Sequence, residues 1–165
     1  MKEIPLTKGK VALVDDGDFE YLSQWKWAAN KNRNTFYAYR YGFDKIKNKK
    51  TGIIMHREIL GFPENLEVDH INNNGLDNRK ENLRTCSRLQ NSQNTIKRDN
   101  CKSIFKGVEY HKKTNKFRAT VCSRGNKHRS KWFKTELEAA SAYDELAKKF
   151  FGEFAHLNLQ DQNSV

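Results

Sequence analysis

The sequence predicts an α+β protein made of two small parts, and three observations carry that prediction. First, 165 residues suffice for one ordinary domain or two small ones with limited core in each. Second, the stretch from Leu66 to about Lys97 reads as strand, loop, strand, helix, whereas the stretch after Ser103 reads as three strands followed by one long helix. Third, the polar run Lys97 to Ser103 between them has no apolar periodicity and is the best domain boundary.

Lys10 to Val14 is a short apolar-tending strand, stopped by Asp15, Asp16 and Gly17. Asp18 can cap a helix through Trp27, because Phe19, Leu22 and Trp25 share one face. Phe36 to Tyr41 alternates as a strand, and Lys47 to Gly52 is a polar, basic turn leading to Ile53 and Ile54. Met55 to Leu60 is a short helix ended by Gly61 and Pro63. Leu66 to Ile71 is a strand and Asn72-Asn73-Asn74-Gly75 a loop of residues that tolerate left-handed backbone angles. Asn82 to Cys86 is the next strand, and Ser87 with Gln90 is a capping-box signature for a helix from Arg88 to about Lys97. Gly107 to His111, Lys116 to Cys122 and His128 to Phe133 are strands joined by turns at Lys113-Thr114-Asn115 and Arg124-Gly125-Asn126. Thr135 and Glu138 form a second capping box, ahead of an apolar stripe of Ala139, Ala142, Tyr143, Leu146, Ala147 and Phe150 that ends before Gly152. The tail after Asn158 is polar and expected to fray.

The net charge of +11 requires a strongly electropositive surface, for which a polyanion is the natural partner. That charge is uneven. From Lys102 to Lys134 there are eleven Lys or Arg residues and one acid, Glu109, interleaved with Phe105, Tyr110, Phe117, Trp132 and Phe133. No apolar signal core opens the chain and no apolar run approaches a membrane span, so a soluble, intracellular protein is expected. Cys86, Cys101 and Cys122 are odd in number and lack C-x-x-C spacing, which argues against a disulfide framework or a structural zinc site.

Phosphodiester hydrolysis needs an activated water, a cation on the scissile phosphate and ligands that place it. Asp69-His70 is the first candidate. Asp69 offers a hard oxygen ligand suited to Mg²⁺ or Mn²⁺, and a neutral His70 can take a proton from water. Neighbours on a regular strand point to opposite faces, so the pair can serve one site only if the strand ends or twists there. On the following helix Asn91 and Asn94 share a face, and either carbonyl oxygen could complete the metal shell. His56 admits two readings, contact at the site or with DNA and helix packing. Trp25, Trp27, Tyr37 and Tyr39 read as core, with no assigned function.

Met55-His56-Arg57, Val68-Asp69-His70-Ile71-Asn72, Leu76-Asp77-Asn78-Arg79, Glu81-Asn82-Leu83-Arg84 and Gln90-Asn91 together resemble the HNH homing endonucleases of phage and mobile introns. The resemblance covers about Met55 to Thr95, with twelve residues from His70 to Asn82 and nine more to Asn91. It implies a ββα-metal (His-Me finger) unit of two strands and a helix around one divalent metal. His70 would be the general base, Asp69 and Asn91 the metal ligands, and Asn82 the middle Asn that hydrogen-bonds across the loop to hold His70. Asn94 is then the lesser candidate. The implied cofactor is Mg²⁺, with Mn²⁺ the alternative.

On the second C-terminal strand Phe117, Ala119 and Val121 share one face, and Lys116, Arg118 and Thr120 the other, so a basic sheet face can enter the major groove. Lys106-Gly107-Val108, Lys116 to Ala119, Phe133 to Glu136, Glu138 to Ala140, Ala142 to Asp144, Gly152 and Ala155 to Asn158 resemble the Apetala, or ethylene-response-factor, DNA-binding domain. The resemblance implies base contacts from the strands, at Lys106, Arg118, Arg124, Arg129 and Trp132. Glu109, His111, Cys122 and Ser130-Lys131 depart from the plant pattern, so no plant target sequence transfers.

The expectation is therefore an HNH nuclease domain over residues 1–98, with its ββα-metal core at about 66–97 and a small accessory sheet and helix. A three-stranded antiparallel sheet packed on one helix follows over residues 103–158. Function is expected to be site-directed, homing-type DNA cleavage on double-stranded DNA, one strand per site. No membrane or protein partner is required, the state is monomer or weak dimer, and the resemblance implies the cytoplasm of a bacterial or phage-infected cell. The alternative is a DNA-binding transcriptional regulator with a non-catalytic HNH scaffold.

Overall fold

The computed structural model describes residues 1–32, 34–44, 48–96 and 102–159, and it divides into two compact units, Met1–Asn91 and Ser92–Val165. Helices and small antiparallel sheets alternate in both, an α+β architecture. Among the described residues no helix is long and apolar enough to cross a membrane. Of the expected boundary stretch, 97–101 lie outside the described residues, as do 160–165 of the polar tail.

The first unit opens with a hairpin, β1 (Lys2–Pro5) paired antiparallel with β2 (Val11–Val14), whose alternation sends Ile4, Ala12 and Val14 into the core. Helix α1 (Asp16–Leu22) starts two residues before the expected cap Asp18 and stops well short of Trp27. The reason lies in Trp27 itself. Its indole Nε1 donates to the Leu22 carbonyl at 2.8 Å, satisfying a helix-end acceptor, and its backbone bridges Leu6 instead of continuing the helix.

Strands β3 (Ala28–Asn32), β4 (Thr35–Asp44) and β5 (Lys49–Ile54) form a sheet in that order. The expected basic turn is thus largely strand, with Gly52 opposite Tyr41 and Lys50 opposite Phe43, while Lys47 lies outside the described residues. Ladder bonds do not depend on side-chain hydropathy, and this end of the sheet is exposed, so no alternation marks it in the sequence. Helix α2 (Met55–Ile59) follows at once, with Met55 fully buried. Arg40 on β4 pairs with Glu58 on α2 at 2.6 Å, and its guanidinium lies 4.1 Å from the Trp25 ring centroid, clamping helix to sheet.

Strands β6 (Glu67–His70) and β7 (Leu83–Cys86) pair antiparallel, with Glu67 opposite Cys86, Asp69 opposite Arg84 and His70 opposite Leu83. Helix α3 (Arg88–Gln93) carries the expected reciprocal cap, the Ser87 amide donating to Gln90 Oε1 at 2.8 Å and the Gln90 amide to Ser87 Oγ at 3.3 Å. It ends at Gln93, short of the expected Lys97, which lies outside the described residues. The loop joining β6 to β7 is bound to the N-terminal hairpin. Leu13 N–H donates to the Leu76 carbonyl and Asn78 N–H to the Leu13 carbonyl, both at 2.8 Å.

In the second unit β8 (Val108–His111), β9 (Lys116–Ser123) and β10 (Asn126–Arg129) form a sheet with β9 central. The Arg124-Gly125 turn has positive φ at both residues, 50° and 80°, the twist that suits a tight hairpin. Strand β10 ends at Arg129, not Phe133. There Ser130 interrupts the ladder, since its Oγ accepts the Ala119 amide at 2.9 Å in place of a carbonyl. Pairing resumes at Phe133, which exchanges two backbone bonds with Phe117. Helix α4 (Glu136–Phe151) has the capping box of Thr135 and Glu138 and lays Ala139, Ala140, Tyr143 and Ala147 on the sheet face of Val108, Ala119 and Val121.

Gly75 sets how closely the β6–β7 loop approaches β4. A Cβ there would fall 2.5 Å from the Phe36 carbonyl oxygen and 2.7 Å from the Tyr37 ring. Gly75→Ala is therefore expected to destabilise the first unit by about 1–3 kcal/mol, read as a lower urea midpoint; an unchanged midpoint would contradict the close approach.

Candidate active site and nucleic-acid interface

Strand β6 ends at His70, and the chain turns immediately, Asn73 N–H donating back to the His70 carbonyl at 2.9 Å. The loop is held from within. Asn82 Oδ1 accepts the Asn72 amide at 3.0 Å, and Asn82 Nδ2 donates to the Asp77 carbonyl at 2.7 Å. Asp77, buried, accepts from Arg79 at 2.8 Å and from the Asn72 amide group at 2.9 Å, and Arg79 also reaches Glu81. The Arg79 hydrogen bonds outweigh burial and hold the Asp77 carboxyl below the usual range.

His70 is 4% exposed, and its ring lies among His56, Tyr37 and Asn78. The His56 ring stands edge-on at 4.9 Å between centroids, Tyr37 lies at 5.6 Å, and Nε2 is 3.3 Å from Asn78 Oδ1. Tyr37 also meets His56 at 5.4 Å. Burial lowers the His70 pKa, opposed by Asn78, Asp69 and Asp77, so the imidazole is held toward its neutral form. Burial, then His70, then Arg57, lower His56 further, to about 3. His56 Nδ1 is buried and has no hydrogen-bond partner among the described residues.

Asp69 belongs to the other face of β6. Its Oδ2 accepts Arg84 Nε at 2.9 Å and Nη2 at 2.8 Å from directly across the ladder. Glu67 shares that face by alternation and accepts Asn91 Nδ2 at 2.5 Å. The structure thus gathers Glu67, Asp69, Arg84 and Asn91 on the α3 side of the hairpin. Cys86 reports the same grouping, since burial, then Asp69, then Glu67 push its thiol up to about 11. Cys86 and Cys122 are free thiols, and Cys101 lies outside the described residues. Among the described residues no three His, Cys, Asp or Glu side chains cluster as a ready metal cage. The oxygen donors of Asp69 and Asn91 nevertheless fit Mg²⁺, which binds through one or two protein oxygens and keeps several waters.

Five C-terminal residues were expected at DNA, and the structure treats them differently. Arg118 and Arg129 lie on the sheet face away from α4. Arg118 pairs with Glu109 at 2.8 Å and stacks 4.4 Å from the Trp132 centroid, while Trp132 also meets His111 at 5.3 Å. Arg129 pairs opposite Thr120, and Arg124 is exposed at the hairpin turn. Lys106 stands apart. Its Nζ donates to the Gln93 carbonyl at 2.6 Å, and burial lowers its pKa to about 8. Lys116 and Lys127, exposed on the same sheet face by register, extend the basic surface beyond those five. Burial raises Glu109, but Arg118 and Thr120 more than offset it and keep the carboxyl low.

Sequence reasoning passed over Asn78 and Tyr37, both beside His70. Asn78 reads as one more loop Asn and Tyr37 as one more strand aromatic. Only the close approach at Gly75 brings β4 to the loop, and it leaves no local pattern.

The profile of the HNH endonuclease family matches residues 53–93. An uncharacterized HNH endonuclease of Acanthamoeba polyphaga mimivirus is 34% identical over 155 residues, spanning 93% of this chain and 78% of that protein. No solved structure matches.

Both imidazoles are shifted down by burial, and His56, the more sharply lowered, sets a pH dependence. A histidine protonated near 6.5 when unfolded but near 3 when folded makes the unfolded state bind more protons in between, so stability is present above about 6.5 and falls as pH drops toward 3. Urea midpoints across that window should show this slope, reduced by roughly one proton in His56→Phe. An equal slope in both proteins would exclude His56 as a source.

Proposed function

Because this chain belongs to the HNH endonuclease family, a nuclease family whose substrate is DNA, we propose that it is a site-directed, homing-type endonuclease cutting one strand per site. The observation that carries the reading is the end of β6, where the buried His70 imidazole on one face and the Asp69 carboxylate on the other meet the start of the pinned loop. In this reading β6, β7 and α3 are the ββα-metal core, within an HNH domain over residues 1–98. HNH nucleases usually use a divalent metal. Asp69 and Asn91 would hold it, most simply as Mg²⁺ or Mn²⁺, and when bound it supplies positive charge for the scissile phosphate and the departing 3′ oxygen.

The remaining work falls to the chain. His70, kept neutral by burial, takes a proton from water as the oxygen forms its bond to phosphorus. The bond from phosphorus to the 3′ oxygen breaks in line, and that oxygen is protonated from solvent, leaving a 5′ phosphate. Asn82 keeps the loop closed so that His70 stays at the strand end. Arg84 balances the Asp69 charge before substrate arrives.

Residues 103–158 form the targeting domain of the Apetala type in this proposal. Arg118, Arg124, Arg129 and Trp132 present the contacts, joined by Lys116 and Lys127. Arg118 must exchange Glu109 for DNA, which favours a partner of dense negative charge. Lys106 contributes to DNA binding only if its bond to Gln93 opens.

Supercoiled plasmid carrying DNA that flanks the encoding gene, incubated with Mg²⁺, should yield relaxed circles, and salt should weaken cutting steeply. His70→Ala is expected to lose cleavage by at least about 100-fold while retaining binding. No relaxed product at any metal concentration would favour a DNA-binding regulator instead. Arg118→Ala should weaken binding by roughly 5-fold or more in gel shift; unaltered affinity would remove that strand from the interface.

A further inference from the structure

We propose that Asn78 is a positioning residue that holds His70 as the Nε2–H tautomer, presenting Nδ1 as the proton acceptor, and that the N-terminal hairpin fixes Asn78 in place. This deepens the nuclease reading and rests on it for its catalytic consequence. The tautomer follows from hydrogen-bond chemistry. Asn78 Nδ2 lies 3.2 Å from the Leu76 carbonyl, which can only accept, so the amide nitrogen faces Leu76 and the amide oxygen faces His70. That oxygen also only accepts, so the imidazole nitrogen 3.3 Å away must carry the hydrogen. A neutral ring carries one N–H, which leaves the lone pair on Nδ1.

The opposite tautomer would set two lone pairs against each other beside an Asn78 side chain that is 0% exposed, with no solvent to relieve them. Turning the amide over would instead oppose its oxygen to the Leu76 carbonyl. Turning the imidazole over would take Nε2 away from the Asn78 oxygen and set a ring carbon there instead, losing the bond.

The anchor of this arrangement is remote in sequence. The Leu76 carbonyl that orients the amide also accepts Leu13 N–H, and Asn78 N–H donates to the Leu13 carbonyl, each at 2.8 Å. Leu13 sits on β2 and pairs with Glu3 on β1. The first fourteen residues, which carry no motif, thereby hold the group that decides which nitrogen of His70 is basic.

The test reads the imidazole directly. In uniformly ¹⁵N-labelled, metal-free protein at neutral pH, two-bond ¹⁵N–¹H correlation spectra, assigned by loss of signals in His70→Ala, should show His70 wholly as the Nε2–H form. Asn78→Leu, which removes the acceptor, should give a mixture of tautomers, with kcat down roughly tenfold or more and KM for DNA unchanged. A wild-type spectrum showing Nδ1–H or an averaged mixture overturns the proposal whether or not any variant folds. So does a folded Asn78→Leu protein with the wild-type tautomer. Since the spectra need no turnover, absent cleavage with the Nε2–H form present would refute the nuclease reading and leave the positioning intact.

Discussion

The Asn82 carboxamide is the constraint on which the first unit turns. Between His70 and Leu83 the chain leaves the β6–β7 ladder and must return in register, and one buried side chain ties both limbs of that excursion, accepting from Asn72 and donating to Asp77. Backbone groups in such a loop demand partners, and its own Asn side chains supply most of them, with Thr35 and Asp15 serving the Gly75 and Lys80 amides. With the loop closed, Gly75 can press against β4 and Asn78 can reach His70. A loosened loop would lose the ring cluster, the amide partner and the hairpin contact together.

Charge is arranged differently in the two units. In the first, acids and bases pair locally: Arg40 with Glu58, Arg79 with Asp77, Arg84 with Asp69. These pairs hold elements in place and leave little net field. In the second, the sheet face away from α4 carries Lys116, Arg118, Lys127 and Arg129 against Glu109 alone among the paired acids of that face. Such an imbalance costs self-repulsion in the free protein and is relieved by phosphate.

Much of this was legible in the sequence, for identifiable reasons. Capping boxes at Ser87 and Thr135 mark helix starts by short-range hydrogen bonds, and both form. The alternation on β9 sorts Phe117, Ala119 and Val121 from Lys116, Arg118 and Thr120, and the helix packs on the first set. Illegible were features decided by distant partners. Trp27 leaves its helix because Leu22 and Leu6 claim it, β5 begins among lysines because β4 pairs with it, and Ser130 ends β10 by substituting its hydroxyl for a carbonyl. At the candidate site the motif residues were readable one by one. The neighbours that surround the His70 ring, namely His56, Tyr37 and Asn78, converge only through tertiary packing.

The proposed cleavage requires Asp69 and Asn91 to serve one cation at the end of β6, where the strand gives way to the loop. Crystals of the full chain grown with Mn²⁺, with diffraction recorded at the manganese absorption edge, test this most directly. An anomalous peak within bonding distance of an Asp69 carboxylate oxygen and the Asn91 amide oxygen, lost in Asp69→Ala, is the expected result. A saturated crystal whose manganese lies away from both side chains would contradict it.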